Sequence, residues 1–118
     1  MTKRSSLLAA AKILPVLGAI GFLASGTAEA YRVLGAGTTK CPAWTKDRKA
    51  PQSVDALQDA NWVLGFLSGI GHKATDGDDP LKGLESQTVL TWIDTFCGAH
   101  DAADLDDAAR AFYNYHPH

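Results

Sequence analysis

Two cysteines, Cys41 and Cys97, stand 56 positions apart in a chain of 118 residues, behind a stretch that reads as an export leader. No other feature narrows the choice of fold so far. An export leader delivers a chain to an oxidising compartment, where two thiols become a disulfide. Closing a loop of that length lowers the entropy of the unfolded chain, which stabilises the fold by about 4 kcal/mol in the loop-closure model. That is on the order of the whole net stability of a small domain. The reading expects a fold in which the Cys41–Cys97 bridge carries much of the stability. The absence of a CxxC spacing argues against a catalytic or metal-binding thiol pair.

The leader has three parts. Lys3, Arg4 and Lys12 supply positive charge, the stretch from Ile13 to Ala24 is apolar, and Ala28-Glu29-Ala30 sets small residues at the −3 and −1 positions of a cleavage site. A membrane span needs about 20 apolar residues, and Lys12 and Pro15 interrupt any such window. The expectation is a signal peptide over 1–30, cleaved near Ala30, and a single domain over 31–118 in the periplasm, with no membrane attachment after cleavage. That domain holds eight Lys and Arg against twelve Asp and Glu, a net charge of −4. A mildly acidic domain without clustered Lys and Arg on one face lacks the footprint of a nucleic-acid binder.

Helical periodicity organises most of the domain. Residues 31–52 are rich in Gly, Thr, Lys and Pro without a period and read as an irregular arm pinned by Cys41. Ser53 is a helix N-cap, with Asp55 in the first turn. Val54, Leu57, Leu64, Leu67 and Ile70 recur at helical spacing, with Asn61 a polar break and with Asp55, Gln58 and Asp59 outside the stripe. Trp62, Val63 and Phe66 widen the face of this first helix, expected over 54–71. Gly65 and Gly69 each cost a helix about 1 kcal/mol relative to Ala, which suggests close packing against another helix. A loop with Asp-Gly and Asp-Pro turn signals follows. Ser86 is expected to cap a second helix over 87–99, with Val89, Leu90, Ile93, Phe96 and Cys97 on one face. A third helix is expected over 104–115. It opens on an Asp104/Asp107 capping box and buries Leu105, Ala108, Ala109 and Phe112. The fold class is all-α, a small domain of three to four helices whose irregular N-terminal arm is tied down by one disulfide.

Chemistry-bearing motifs are sparse. Asp76-Gly77-Asp78-Asp79 has the look of a calcium loop, but Leu81 and Gln87 stand where an EF-hand needs Gly and Glu. His72, His100, His116 and His118 lack diagnostic ligand spacing, so no metal is expected. His100-Asp101 has no nucleophile in a recognisable motif beside it, and Gly35-x-Gly37 lacks the strand and helix of a nucleotide site. Trp44, Trp62 and Trp92 are read mainly as core. Neither a catalytic residue nor a cofactor is assigned, and the reading is a non-enzymatic protein.

Three segments carry a resemblance. They are Trp62-Val63-Leu64-Gly65-Phe66-Leu67-Ser68-Gly69, then Trp92-Ile93-Asp94-Thr95-Phe96-Cys97-Gly98-Ala99-His100, and the run Leu105-Asp106-Asp107-Ala108-Ala109. With a first cysteine before them, they resemble the HdeA/HdeB family of periplasmic acid-stress chaperones, which has a W-x-x-G-[YF]-x-x-G helix and one long-range disulfide. They are also similar to the Tai-type immunity proteins that act against type VI secretion effectors. The resemblance implies a partner that is itself protein, either acid-unfolded clients or a single effector, and is compatible with a homodimer. It points to Trp62, Phe66 and Leu67 as the protein-binding residues. An envelope interaction protein without chaperone activity is the third reading. In acid, the twelve carboxylates lose their charge while Lys, Arg and His are all positive. The net charge then swings to about +12, and self-repulsion would expose apolar faces while the disulfide holds the chain together.

Overall fold

The computed structural model describes residues 31–74 and 77–115, so the expected signal peptide, His116 and His118 lie outside the described residues. Within them the chain is all-α. A 3-10 turn at Gly35–Thr38 precedes four helices: α1 (Cys41–Asp47), α2 (Val54–Lys73), α3 (Ser86–Gly98) and α4 (Leu105–Tyr115). These helices belong to one compact unit, Val33–His118. Among the described residues no helix is long and apolar enough to cross a membrane.

The arm expected to be irregular over 31–52 contains α1. Two helical turns are too short to show a period, but their ingredients are visible. Pro42 sits in the first turn, where a missing N–H costs nothing, and Cys41 and Trp44 lie three apart and are both fully buried. Ahead of α1 the backbone pairs with the start of α4. Lys40 bridges antiparallel to Asp104, Cys41 N–H donates to Ala103 C=O at 2.9 Å, and Leu105 N–H donates to Thr39 C=O at 3.0 Å. The arm is therefore anchored twice, by backbone hydrogen bonds and by the Cys41–Cys97 disulfide that joins α1 to α3.

Two of the three longer helices begin on side-chain caps. Ser53 caps α2, its Oγ accepting from Ala56 N–H at 3.2 Å. At α4 the Asp104 and Asp107 carboxylates each accept the other's backbone N–H, at 2.9 and 3.1 Å, as the sequence led us to expect. The start of α3 differs from expectation. Glu85 is the N-cap, without a side-chain bond, and Ser86 is the first helical residue.

The core joins Cys41 and Trp44 of α1, Val63 and Leu67 of α2, Val89, Leu90, Ile93 and Cys97 of α3, and Leu105, Ala108, Ala109 and Phe112 of α4. The buried stripe of α4 contains the four residues read from the sequence, and that of α3 is the one expected except for Phe96, which is only half-buried. The stripe of α2 is rotated. Ala56, Asp59, Val63 and Leu67 face inward, while Val54 and Leu57 are 68% and 45% exposed. This helix has apolar residues in two adjacent registers, and the neighbours α4 and the 3-10 turn select which one is buried.

A polar lock closes one side of the core. Trp44 Nε1–H donates to Asp94 Oδ1 at 2.8 Å, and Arg48 donates to the same carboxylate through Nε at 2.8 Å and Nη2 at 2.9 Å. The Arg48 guanidinium also lies over the Trp44 ring, 5.3 Å from its centroid. Tyr113 OH donates to Asp78 at 3.2 Å, tying the loop before α3 to α4.

Candidate functional site

Trp62 organises the exposed side of α2. Its ring stacks on Phe66 with centroids 5.3 Å apart, and its Nε1–H donates to Leu34 C=O at 2.9 Å. That second contact draws the 3-10 turn across the indole. Gly37 fits against the ring so closely that any Cβ there would overlap both Trp62 and Val33, and Gly35 holds a left-handed φ of 73° beside it. The Gly35-x-Gly37 pair is thus a cradle for an indole.

Three open depressions run along this side of α2 and share lining residues. One of about 530 Å³ is lined by Ala43, Lys46 and Asp47 of α1, Asp55, Gln58 and Asp59 of α2, and Gly35, Ala36 and Thr39. A second, of about 440 Å³, shares Gly35, Ala36 and Gln58 with the first and adds Asn61 and Trp62. The third, of about 370 Å³, takes up Asn61 and Trp62 and continues over Gly65 and Phe66. Together they form one trough, acidic at the end near α1 and aromatic at the other.

Asp59 is the unusual group in it. The residue is 3% exposed, and its Oδ2 has no hydrogen-bond partner. Burial pushes its pKa up from 3.8 to about 6, and the neighbouring carboxyl of Asp47 and the charge of Asp55 push the same way, while the Thr39 hydroxyl opposes them. The sequence reading left Asp59 outside the buried face. No residue pattern marks it, because its burial depends on α1 folding over it.

The residues expected to bind protein separate into two kinds. Trp62 and Phe66 are half-buried and line the trough, whereas Leu67 is fully buried in the core and is no part of a binding surface. Gly65 and Gly69 also need correction as packing sites. A Cβ on either meets nothing within 4 Å, and both are exposed. The glycine that does have a close neighbour across α2 and the loop is Gly71, whose Cβ would meet the Asp79 carboxylate.

Other clusters of titratable groups are committed to structure. Asp104, Asp106 and Asp107 lie close together, but Asp104 and Asp107 form the α4 cap, and Arg110 pairs with Asp106 at 3.0 Å and with Asp107 at 2.8 Å. His100, just past the end of α3, stacks on Phe96 at 4.0 Å, with Nδ1 2.7 Å from Phe96 C=O, and closes the aromatic row begun by Trp92 and Phe96. Asp94 is held by Trp44 and Arg48. No protein-family model matches the chain, and no curated protein or solved structure matches it.

Proposed function

We propose that this is a non-enzymatic protein-binding protein of the bacterial periplasm, exported by cleavage near Ala30, and that it works as an HdeA-like acid-stress chaperone. The observation that carries the reading is the Trp62–Phe66 stack on an open trough, an aromatic surface beside a helix face free of side-chain bulk at Gly65. Half-buried aromatic rings offer large contact area at small entropic cost, the usual anchor of a protein interface. The disulfide between α1 and α3 suits an exported chain that must survive charge repulsion in acid. The test is aggregation of a mixed set of periplasmic proteins at pH 2–3 and at pH 7. Suppression in acid that weakens in Phe66→Ser is the expected result, and equal aggregation with and without the protein at low pH would refute the chaperone role.

A second reading, immunity toward a single effector, is favoured by one observation. The trough has two chemically different ends, a preformed surface suited to one particular partner. Tight binding to one toxin at pH 7, without client protection at either pH, would decide for it.

A further inference from the structure

The two ends of the trough specify more than a general taste for protein. At the α1 end, Asp47, Asp55 and Asp59 set three carboxylates against the single ammonium of Lys46, with uncharged Gly35, Ala36 and Thr39 completing the wall. Asp59 is 3% exposed and its Oδ2 has no hydrogen-bond partner, an arrangement that costs free energy and that positive charge brought to the trough wall would offset. At the other end, the stacked and half-buried Trp62 and Phe66 line an apolar depression, and Gly65 leaves the helix backbone there open to close approach.

We propose that the trough holds an extended segment of a partner protein that carries a Lys or Arg side chain against Asp47, Asp55 and Asp59 and an aliphatic or aromatic side chain on Trp62 and Phe66. The spacing follows from helix geometry. The middles of the two ends lie seven residues apart on α2, a rise of ~10 Å, which an extended peptide covers in about three residues. The recognised pattern is therefore a basic residue and a large apolar residue about three positions apart. This rests on the reading of the chain as a protein-binding protein and adds the chemistry of what it binds. Charge pairing would set the orientation of the segment, and the ring contact would supply most of the affinity.

The test uses fluorescein-labelled peptides with the purified, oxidised protein at pH 7.5, read by anisotropy. One peptide places Arg three positions before Phe, a second replaces Arg by Glu, and a third replaces Phe by Gly. The first should bind at least about tenfold more tightly than either of the others, and less tightly as salt is raised. Asp55→Asn, an exposed change that leaves the fold intact, should weaken the first peptide severalfold. Gly65→Leu should block it while melting no lower than the parent protein. Equal binding of the Arg and Glu peptides would overturn the charge pairing. A concentration-dependent dimer that Gly65→Leu dissolves would give the trough to a second copy and overturn the proposal. If no peptide binds but client aggregation is still suppressed, this proposal fails and the protein-binding reading stands. If both are absent, both fall.

Discussion

Single residues in this protein owe their roles to what folds over them. Asp59 shows the consequence for pH. Its pKa rises from 3.8 to about 6 on folding, chiefly through burial, so between those values the folded state binds more protons than the unfolded one. Stability at this site is therefore complete below about pH 4 and is lost as the pH rises through 6. Asp59→Asn removes the penalty. It should stabilise the protein at pH 7 by on the order of 1–2 kcal/mol and flatten the change in stability between pH 4 and 6. Urea denaturation at several pH values measures both, and a variant less stable than the parent at pH 7 would contradict the account. The direction matters for function as well. Protonated Asp59 favours the folded state in acid, so this site opposes the acid loosening that the proposed chaperone role calls for.

Glycines obey the same logic. Gly37→Ala places a methyl against the Trp62 ring and Val33, and should cost about 1–3 kcal/mol. Gly65→Ala meets nothing and gains helix propensity, so it should stabilise by up to about 1 kcal/mol. Thermal denaturation of the pair distinguishes them, and shifts in the same direction would refute the assignment of either glycine.

At the scale of elements, local chemistry starts the helices and tertiary contacts orient them. The Asp104/Asp107 box was legible because its two carboxylates act on backbone within four residues of themselves. Asp104→Ala should cost about 1 kcal/mol and fray the first turn of α4, seen as faster amide exchange there. The opposite case is α1. Its seven residues are too few for an isolated helix to be stable in water. It exists because Cys41 and Trp44 are buried and because Asp94, on α3, takes hydrogen bonds from both Trp44 and Arg48. The contribution of Asp94 comes from fifty residues away in sequence, where no local pattern can point to it.

For the whole molecule, the Cys41–Cys97 bridge is the single disulfide the two cysteines allow. Replacing Cys41 and Cys97 by Ser should lower stability by about 3–4 kcal/mol, a shift in melting temperature large for so small a domain. Coincident denaturant midpoints for the oxidised and reduced proteins would show that the helical core stands without it.

What the sequence determined by itself is whatever depends on near neighbours or on covalent chemistry. The all-α class, the approximate spans of the three long helices, the caps at Ser53 and Asp104, and the pairing of two lone cysteines all follow from patterns a few residues long or from thiol chemistry. The inward stripes of α3 and α4 belong here too, because each helix has one clear apolar face. The face of α2 does not, since its apolar residues populate two registers and either could be buried. Tertiary structure chose between them, and with that choice went the site. Leu67 turned into the core, Gly65 turned outward, and Asp59 was buried beside Asp47 and Thr39. The physical reason is the same in each case. Burial is a property of the surface that another segment covers, and the arm that covers α2 is held there by its backbone pairing with the start of α4 and its disulfide to α3.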